Sequence, residues 1–355
     1  MAVCLALAAH LRGAGWDVAV HGPPSLAARV AGLGLPFDGR DAPDPWDVTA
    51  MAIDARAACE RRAPDVAVVD YMLPGALCGA EAAGVPTAAL VHTLYAALLD
   101  DASPPAPHPM SMAASPSSLA AARTSLALPP VAGLGALLSR CDAVLVTSLS
   151  WLDTTDPAAE AGNVRYVGAL VAEAGPDAGW VPPPGEGPLV VVSLGTTPMD
   201  EGPVLARVVE AVAGAPVRAL VQPGAHLAGS PLPEAGNVTV AGFVRHAAVL
   251  PHAGALVTHA GLGTVLAGLS AGVPMVCLPL GREQPANAAA VARLGAGVVL
   301  PPDAPAADVR AAVFDVLATP SYRAAAAEAK AALAAWPPDR SAVAELDALA
   351  AARGA

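Results

Sequence analysis

Positive charge is scarce in this chain. Its 355 residues carry 19 Lys and Arg against 31 Asp and Glu, a formal net charge of −12, with no long Lys/Arg run anywhere. That balance disfavours a nucleic-acid surface or an anionic-membrane patch. Any phosphate the protein binds must then be held mainly by backbone N–H groups and a few side chains. Metal-ligating patterns are also missing. The five cysteines, at 4, 59, 78, 141 and 277, form no CxxC and no Cys/His spacing. An odd, scattered set reads as small buried hydrophobes in a reducing compartment, and no metal site is expected. The apolar Val3–Ala9 has no basic segment before it, and His10 and Arg12 follow directly, which argues against a secretory signal.

What is abundant is apolar surface. Hydrophobic residues make up 55% of the chain, and the mean hydropathy is +0.52, which argues for buried cores rather than disorder despite 37 prolines. Ala253–Gly281 holds no Asp, Glu, Lys or Arg, so hydropathy alone would mark it as membrane-spanning. Glycines at 254, 261, 263, 268 and 272, with Pro274 and Pro279, break it up. It reads instead as strand, loop, short helix and strand buried in a parallel sheet. A soluble, cytoplasmic protein with no membrane or nucleic-acid partner is expected.

Short apolar runs alternate with Ala-rich amphipathic stretches, the pattern of βα repeats. In the first half, Asp17–His21, Val66–Asp70, Thr87–His92, Ala143–Ser148 and Val164–Gly168 read as strands. Ala2–Ala14, Ser25–Ala31, Val48–Arg62, Gly75–Ala83 and Val131–Arg140 read as helices. Asp100–Pro130, rich in Pro, Ser and Ala, reads as a lid, a binding loop or a partly disordered segment. Strands resume at Leu189–Leu194, Val217–Gln222, Val238–Ala241, Ala255–Thr258, Met275–Pro279 and Gly297–Leu300, and Ser341–Ala352 reads as an amphipathic helix. The fold class is α/β, with two doubly wound domains. A first domain is expected over 1–170, a Pro/Gly-rich linker over 171–188, a second domain over 189–337 and a C-terminal helix over 338–355. A doubly wound domain normally opens with a strand and tight turn before its first helix. No such strand precedes the helix that begins at Ala2.

The chemistry concentrates at Ala255–Leu269, where an apolar strand ends at Thr258 and His259-Ala260-Gly261-Leu262-Gly263-Thr264 turns into a helix. Glycines allow close backbone approach, and a helix N-terminus offers unpaired N–H groups and the positive end of a dipole, a geometry suited to a diphosphate. Upstream lie Val191-Val-Ser-Leu-Gly-Thr-Thr197 and Val240-Ala-Gly-Phe-Val-Arg-His246. Downstream lies Gly272-Val-Pro-Met-Val-Cys-Leu-Pro-Leu-Gly-Arg-Glu-Gln-Pro-Ala-Asn287. Together these resemble the donor-binding half of GT-B-fold, nucleotide-sugar-dependent glycosyltransferases of family 1, in the bacterial natural-product branch.

The resemblance implies two facing Rossmann-like domains with a deep interdomain cleft and a C-terminal helix packing back on the first. It also implies inverting, metal-independent transfer of a hexose or deoxyhexose to a hydroxyl of a small aglycone. Carried onto this sequence, it has Gly195 and Thr196 touching the β-phosphate and Phe243 lying on the pyrimidine. Val244 would read the pyrimidine edge, with His246 nearby. His259, Gly261, Gly263 and Thr264 would hold the diphosphate, Glu283 and Gln284 the sugar hydroxyls, and Asn287 would brace that loop. Phe243 reads equally as core, and Thr197 equally as a helix cap. Glu283 stands where most such sequences have Asp. Ala267 stands where plant UDP-glucose users carry a ribose-binding glutamate, which favours a dTDP donor over UDP. The sugar nucleotide is a co-substrate, so no cofactor is expected; a homodimer is compatible with the sequence.

In that family the base is a histidine in the first strand–helix turn, oriented by an aspartate. Asp70 matches the aspartate and reads equally as a cap for the helix near Pro74. The base histidine is not present in the chain as given. His10 would lie more than two turns along the first helix, over ~10 Å away at about 1.5 Å per residue. Tyr71, His92 and Tyr95 are acceptor-side candidates. Three readings stay open: a truncated active enzyme, an enzyme using another base such as Asp70 or His92 (or needing none, with an acidic acceptor), and a non-catalytic sugar-nucleotide binding or helper protein. A nucleotide-sugar 2-epimerase of the same fold is a further alternative.

Overall fold

The computed structural model describes residues 2–39, 46–99, 115–153, 162–170, 180–195, 199–224, 227, 229, 231–242, 244–336 and 341–353. The chain forms two compact units: Met1–Ala172 with Pro337–Ala355, and Glu173–Trp336. All strand pairs in both are parallel.

In the first unit, among the described residues, β1 (Val20–Gly22) pairs only with β2 (Phe37–Gly39). The strands β3 (Ala67–Asp70), β4 (Thr87–Val91), β5 (Ala143–Val146) and β6 (Val164–Tyr166) form a separate sheet in that order. The helix Ala2–Gly13 serves both sheets. Leu5 and Ala8 pack with Leu26, Val30 and Leu35, while Leu7 and Leu11 pack with Leu90 and Leu145. These i,i+3 and i,i+4 pairs are the two apolar stripes of one helix. The C-terminal helix Ala342–Arg353 belongs to this unit as well. It buries Ala342 and Leu346 in the Leu7/Leu90 cluster, and Trp16 Nε1 donates to Asp347 2.9 Å away.

The second unit has one six-stranded sheet. It contains β7 (Leu189–Ser193), β8 (Arg218–Gln222), β9 (Val238–Val240), β10 (Ala253–Thr258), β11 (Met275–Cys277) and β12 (Gly297–Val299), in the order β12-β11-β10-β7-β8-β9. The central strands β7 and β10 are buried nearly throughout. Side chains alternate between sheet faces. Accordingly Val190, Val192, Ala255 and Val257 meet Val204, Leu205, Val208 and Val212 of helix Gly202–Val212, and Val309, Val313 and Val316 of helix Ala306–Ala318. The uncharged stretch from Ala253 onwards is thus β10, helix Leu262–Ala271 and β11, as its glycines and prolines imply. Among the described residues no helix is long and apolar enough to cross a membrane.

Most expected elements appear within one to three residues of their expected ends, and three departures have physical reasons. Part of Asp100–Pro130 is a helix, Pro116–Ser125: Ser115 caps it by accepting from the Ser118 N–H, and Pro116 suits a first turn. Residues 100–114 lie outside the described residues. The helix expected over Val131–Arg140 is only Leu134–Leu138, entered after Gly133. The helix Tyr95–Leu99 was not expected, because its cap is non-local: the buried Asp153 carboxylate accepts from the Tyr95 and Ala96 N–H groups at 2.7 and 3.2 Å.

The helix Pro116–Ser125 is anchored by charge. Arg123, fully buried, makes a two-pronged pair with Glu81 (2.7 and 3.2 Å) and donates to the Pro129 carbonyl; Arg140 shares Glu81. Removing one partner strands a buried guanidinium. Glu81→Ala is therefore expected to cost about 3–5 kcal/mol, measured as a lower urea midpoint at unchanged slope. Glu81→Leu combined with Arg123→Met should recover much of that loss. A single variant as stable as the parent would contradict this anchoring.

Candidate functional site

Parallel strands carry their C-terminal ends on one edge of the sheet, the edge where open α/β sheets bind ligands. In the second unit the register aligns Ser193 of β7 with Gln222 of β8 and Thr258 of β10, and Thr258 with Cys277 of β11. The segments that follow these residues carry the motifs singled out in the sequence.

His259, the first residue after β10, sits between two glycines. A Cβ on Gly195 would stand 2.7 Å from its Cε1 and Nε2, and one on Gly261 would stand 2.8 Å from Nε2. No other residue type fits at either position without moving the ring, and Gly195 also has φ +91. Among the described residues His259 has no hydrogen-bond partner, and its Nδ1 is a buried orphan. Burial, helped by His246 and Arg282 and opposed by Glu201, pushes its pKa from 6.5 down to about 4. The imidazole is neutral at physiological pH.

The helix Leu262–Ala271 begins beside this ring with Gly261 as N-cap and no side-chain cap. Thr264 and Val265 N–H groups return to the Gly261 carbonyl at 2.9 and 3.0 Å, which leaves the Leu262 and Gly263 N–H groups as the uncapped donors of the first turn. Gly263 is exposed, and a Cβ there would meet nothing within 4 Å. Thr264 is 8% exposed and Ala267 half-buried.

Neighbouring loops are held against this turn. Asn287 Nδ2 donates to the Ala260 carbonyl (2.9 Å), while its Oδ1 is buried without a partner among the described residues. Gln284, 2% exposed, accepts from Leu280 and Gly281 N–H groups at 2.7 and 3.3 Å, and its Nε2 lies 3.0 Å from Met199 Sδ. Its amide is thus committed to shaping the loop after β11. Glu283 is half-buried and makes no helix cap. His246 Nε2 lies 3.1 Å from Ser193 Oγ, and burial lowers its pKa. Gln222 Nε2 donates to the Val244 carbonyl (3.0 Å). Thr196 and Phe243 lie outside the described residues. Sequence motifs do not mark Gln222, Ser193 and Thr258 individually. A polar side chain ending an apolar strand was the available signal, and it is a common one.

Backbone strain gathers on the same edge. Of five described non-glycine residues with positive φ, Asp200, Ala260 and Arg282 follow β7, β10 and β11. Each costs on the order of 1–3 kcal/mol and persists only where the surroundings over-determine it, which is common at ligand sites.

The first unit has its own polar cluster on the C-terminal edge of its sheet. Asp70 ends β3, and His92 follows the paired strand β4. His92 Nε2 lies 3.1 and 3.2 Å from the two Asp70 oxygens. Asp70 Oδ1 also accepts from the Met72 N–H (3.0 Å), and Cys4 Sγ is 3.5 Å from Oδ2. Burial opposes the charged form of Asp70, but the His92 hydrogen bond and charge prevail and hold its pKa at about 2. The Tyr71 ring meets His92 edge-on at 5.0 Å. Tyr95, by contrast, is 3% exposed and belongs to the core. No group of three or more potential metal ligands occurs among the described residues.

Residues 221–349 match the family described as erythromycin biosynthesis protein CIII-like, C-terminal domain. The chain is 38% identical over 172 residues to 4'-demethylrebeccamycin synthase of Lentzea aerocolonigenes, covering 46% of this chain and 40% of that protein. The aligned stretches span 40%, 29% and 35% of three such curated relatives, well under two thirds of their length. Two solved structures are similar over nearly the whole chain. The glycotransferase of kitacinnamycin aligns with TM-score 0.78 and 24% identity, covering 98% of this chain and 94% of that one. The glycosyltransferase VinC in complex with dTDP aligns with TM-score 0.71 and 20% identity, covering 99% and 96%.

The His259 environment has a measurable consequence. The unfolded chain binds a proton near pH 6.5, whereas the fold resists it down to about 4. The stability contributed by neutral His259 is complete above that window and is lost as pH falls through it. His259→Gln is expected to flatten the stability decline in the window. The imidazole Cε1 proton of the parent should titrate near 4 by NMR, and a midpoint near 6.5 would contradict the burial described here.

Proposed function

From a chain that has the GT-B fold and is related to bacterial antibiotic and natural-product sugar transferases, we propose an inverting glycosyltransferase. It moves a hexose or deoxyhexose from a dTDP- or UDP-sugar to a hydroxyl of a small aglycone. The observation that carries this reading is the His259 ring wedged between Gly195 and Gly261 beside an uncapped helix N-terminus.

A diphosphate placed over Gly263 accepts from the Leu262 and Gly263 N–H groups and lies at the positive end of the helix dipole. Neutral His259 adds a hydrogen bond from its open edge rather than a charge. When the acceptor oxygen bonds to the anomeric carbon, the bond from that carbon to the diphosphate oxygen breaks and its electron pair moves onto the phosphate. Donors aimed at that growing charge lower the barrier. In this reading Glu283 accepts from sugar hydroxyls, and what supports it is a carboxylate not spent on capping its helix. Gln284 and Asn287 hold the loops that frame it. Ala267 offers no carboxylate to a ribose 2′-hydroxyl, which favours dTDP over UDP.

Calorimetry with dTDP and UDP tests the reading. Wild-type protein is expected to bind dTDP the more tightly. His259→Ala should weaken binding by about 10- to 100-fold, the worth of one hydrogen bond to a charged group. Gly195→Ala should do the same by pushing the ring aside. Binding that ignores both substitutions would place the nucleotide elsewhere. Sugar isomerisation without acceptor transfer would instead favour an epimerase.

A further inference from the structure

We infer that Met199 sets the sugar specificity of the donor site: it occupies the Gln284 amide, so that the site favours a donor sugar lacking a hydroxyl there. The inference deepens the transferase reading above and rests on it. Its starting point is the order of the strands. β7 and β11 lie on opposite sides of β10, roughly 10 Å apart at the usual spacing between strands. Met199 follows β7 and Gln284 follows β11, yet Gln284 Nε2 lies 3.0 Å from Met199 Sδ. The contact therefore joins the loops on either side of the turn that carries His259.

Both ends of this bridge are fixed. The Glu201 carboxylate, on a residue 2% exposed, accepts from the Met199 N–H at 2.8 Å. Asp200 (φ +59) beside Met199 and Arg282 (φ +57) in the loop after β11 hold left-handed backbone. A Cβ on Gly281 would stand 3.5 Å from Met199 Cε, so the thioether lies against that loop. Gln284 Oε1 takes the Leu280 and Gly281 N–H groups at 2.7 and 3.3 Å, which decides the end of the amide that donates. Nε2 therefore faces sulfur, a weak acceptor, and little of the residue is exposed.

The consequence is chemical. A free amide would donate to a sugar hydroxyl, whereas this one is turned onto a thioether. Met199 is partly exposed and sets an apolar surface beside it. A hydroxyl buried against such a surface gives up water and gains no partner. A sugar carbon with hydrogen in that place has no such loss. Glu283 then meets the hydroxyls that remain, as in the reading above. The donor class that fits is a nucleoside diphosphate deoxyhexose.

Calorimetry on the whole chain tests this with dTDP, dTDP-glucose and analogues of dTDP-glucose that each lack a single sugar hydroxyl. Wild-type protein is expected to bind at least one analogue about 10-fold more tightly than dTDP-glucose, the effect of burying a hydroxyl with no partner. Met199→Leu keeps the bulk but accepts no hydrogen bond, which frees Nε2 for the sugar. It should bring that analogue and dTDP-glucose within about 3-fold of each other, while dTDP, which has no sugar, binds as before. Met199→Ala should shift the ratio in the same direction, and the ratio is read on whichever variant binds dTDP like wild type. Wild-type preference for dTDP-glucose over every analogue, or a ratio that ignores both substitutions, would overturn the assignment and leave the transferase reading standing. Wild-type protein that binds no dTDP would overturn both.

Discussion

The parallel pairing of β7 with β10 is the constraint on which the second unit's site depends. Its register sets Thr258 against Ser193, so the residues just beyond, Gly195 and His259, emerge side by side. The imidazole then occupies the space that a side chain at 195 or 261 would need. It is held by sterics rather than by hydrogen bonds, and this leaves its polar edge uncommitted. Everything else on that edge supports the arrangement: Asn287 pins the Ala260 carbonyl, Gln284 folds the loop after β11, and Asp200, Ala260 and Arg282 hold costly backbone conformations in the three adjoining loops. Cations are scarce in this chain, and the features gathered at the turn are backbone donors, a helix terminus and a neutral histidine.

The first unit applies the same topological rule to different side chains. There the pairing of β3 with β4 sets Asp70 beside His92, whose Nε2 lies within hydrogen-bond distance of both carboxylate oxygens. In both units the chemistry-bearing residues end or just follow apolar strands, buried in β4, β7 and β10 and partly exposed in β3. The core built from Val190, Val192, Val257 and their helices in one unit, and from Leu7, Leu90 and Leu145 in the other, is what makes those positions rigid.

Much of this was legible in the sequence, because strands buried on both faces read as short apolar runs and glycines mark the turns. The turn at His259–Thr264, the strand before it and the helix after it followed from that pattern. So did the polar ends at Asp70 and His92. What escaped was whatever depends on distant partners. Nothing near Tyr95 announces a helix whose cap is Asp153, and nothing in the Pro/Ser-rich stretch announces that Arg123 would bury itself against Glu81. Gln284 reads as a residue awaiting a ligand, yet its amide is committed to its own loop and Met199. Pairing between Asp70 and His92 likewise depends on a strand register that sequence patterns do not specify.

The central claim is that the turn after β10 receives a nucleoside diphosphate. Hydrogen exchange of the whole chain with and without dTDP tests it most directly. The account predicts slowed exchange concentrated in the N–H groups of residues 259–266, with weaker protection in the loop after β11. Protection that falls elsewhere and leaves 259–266 unchanged would contradict it.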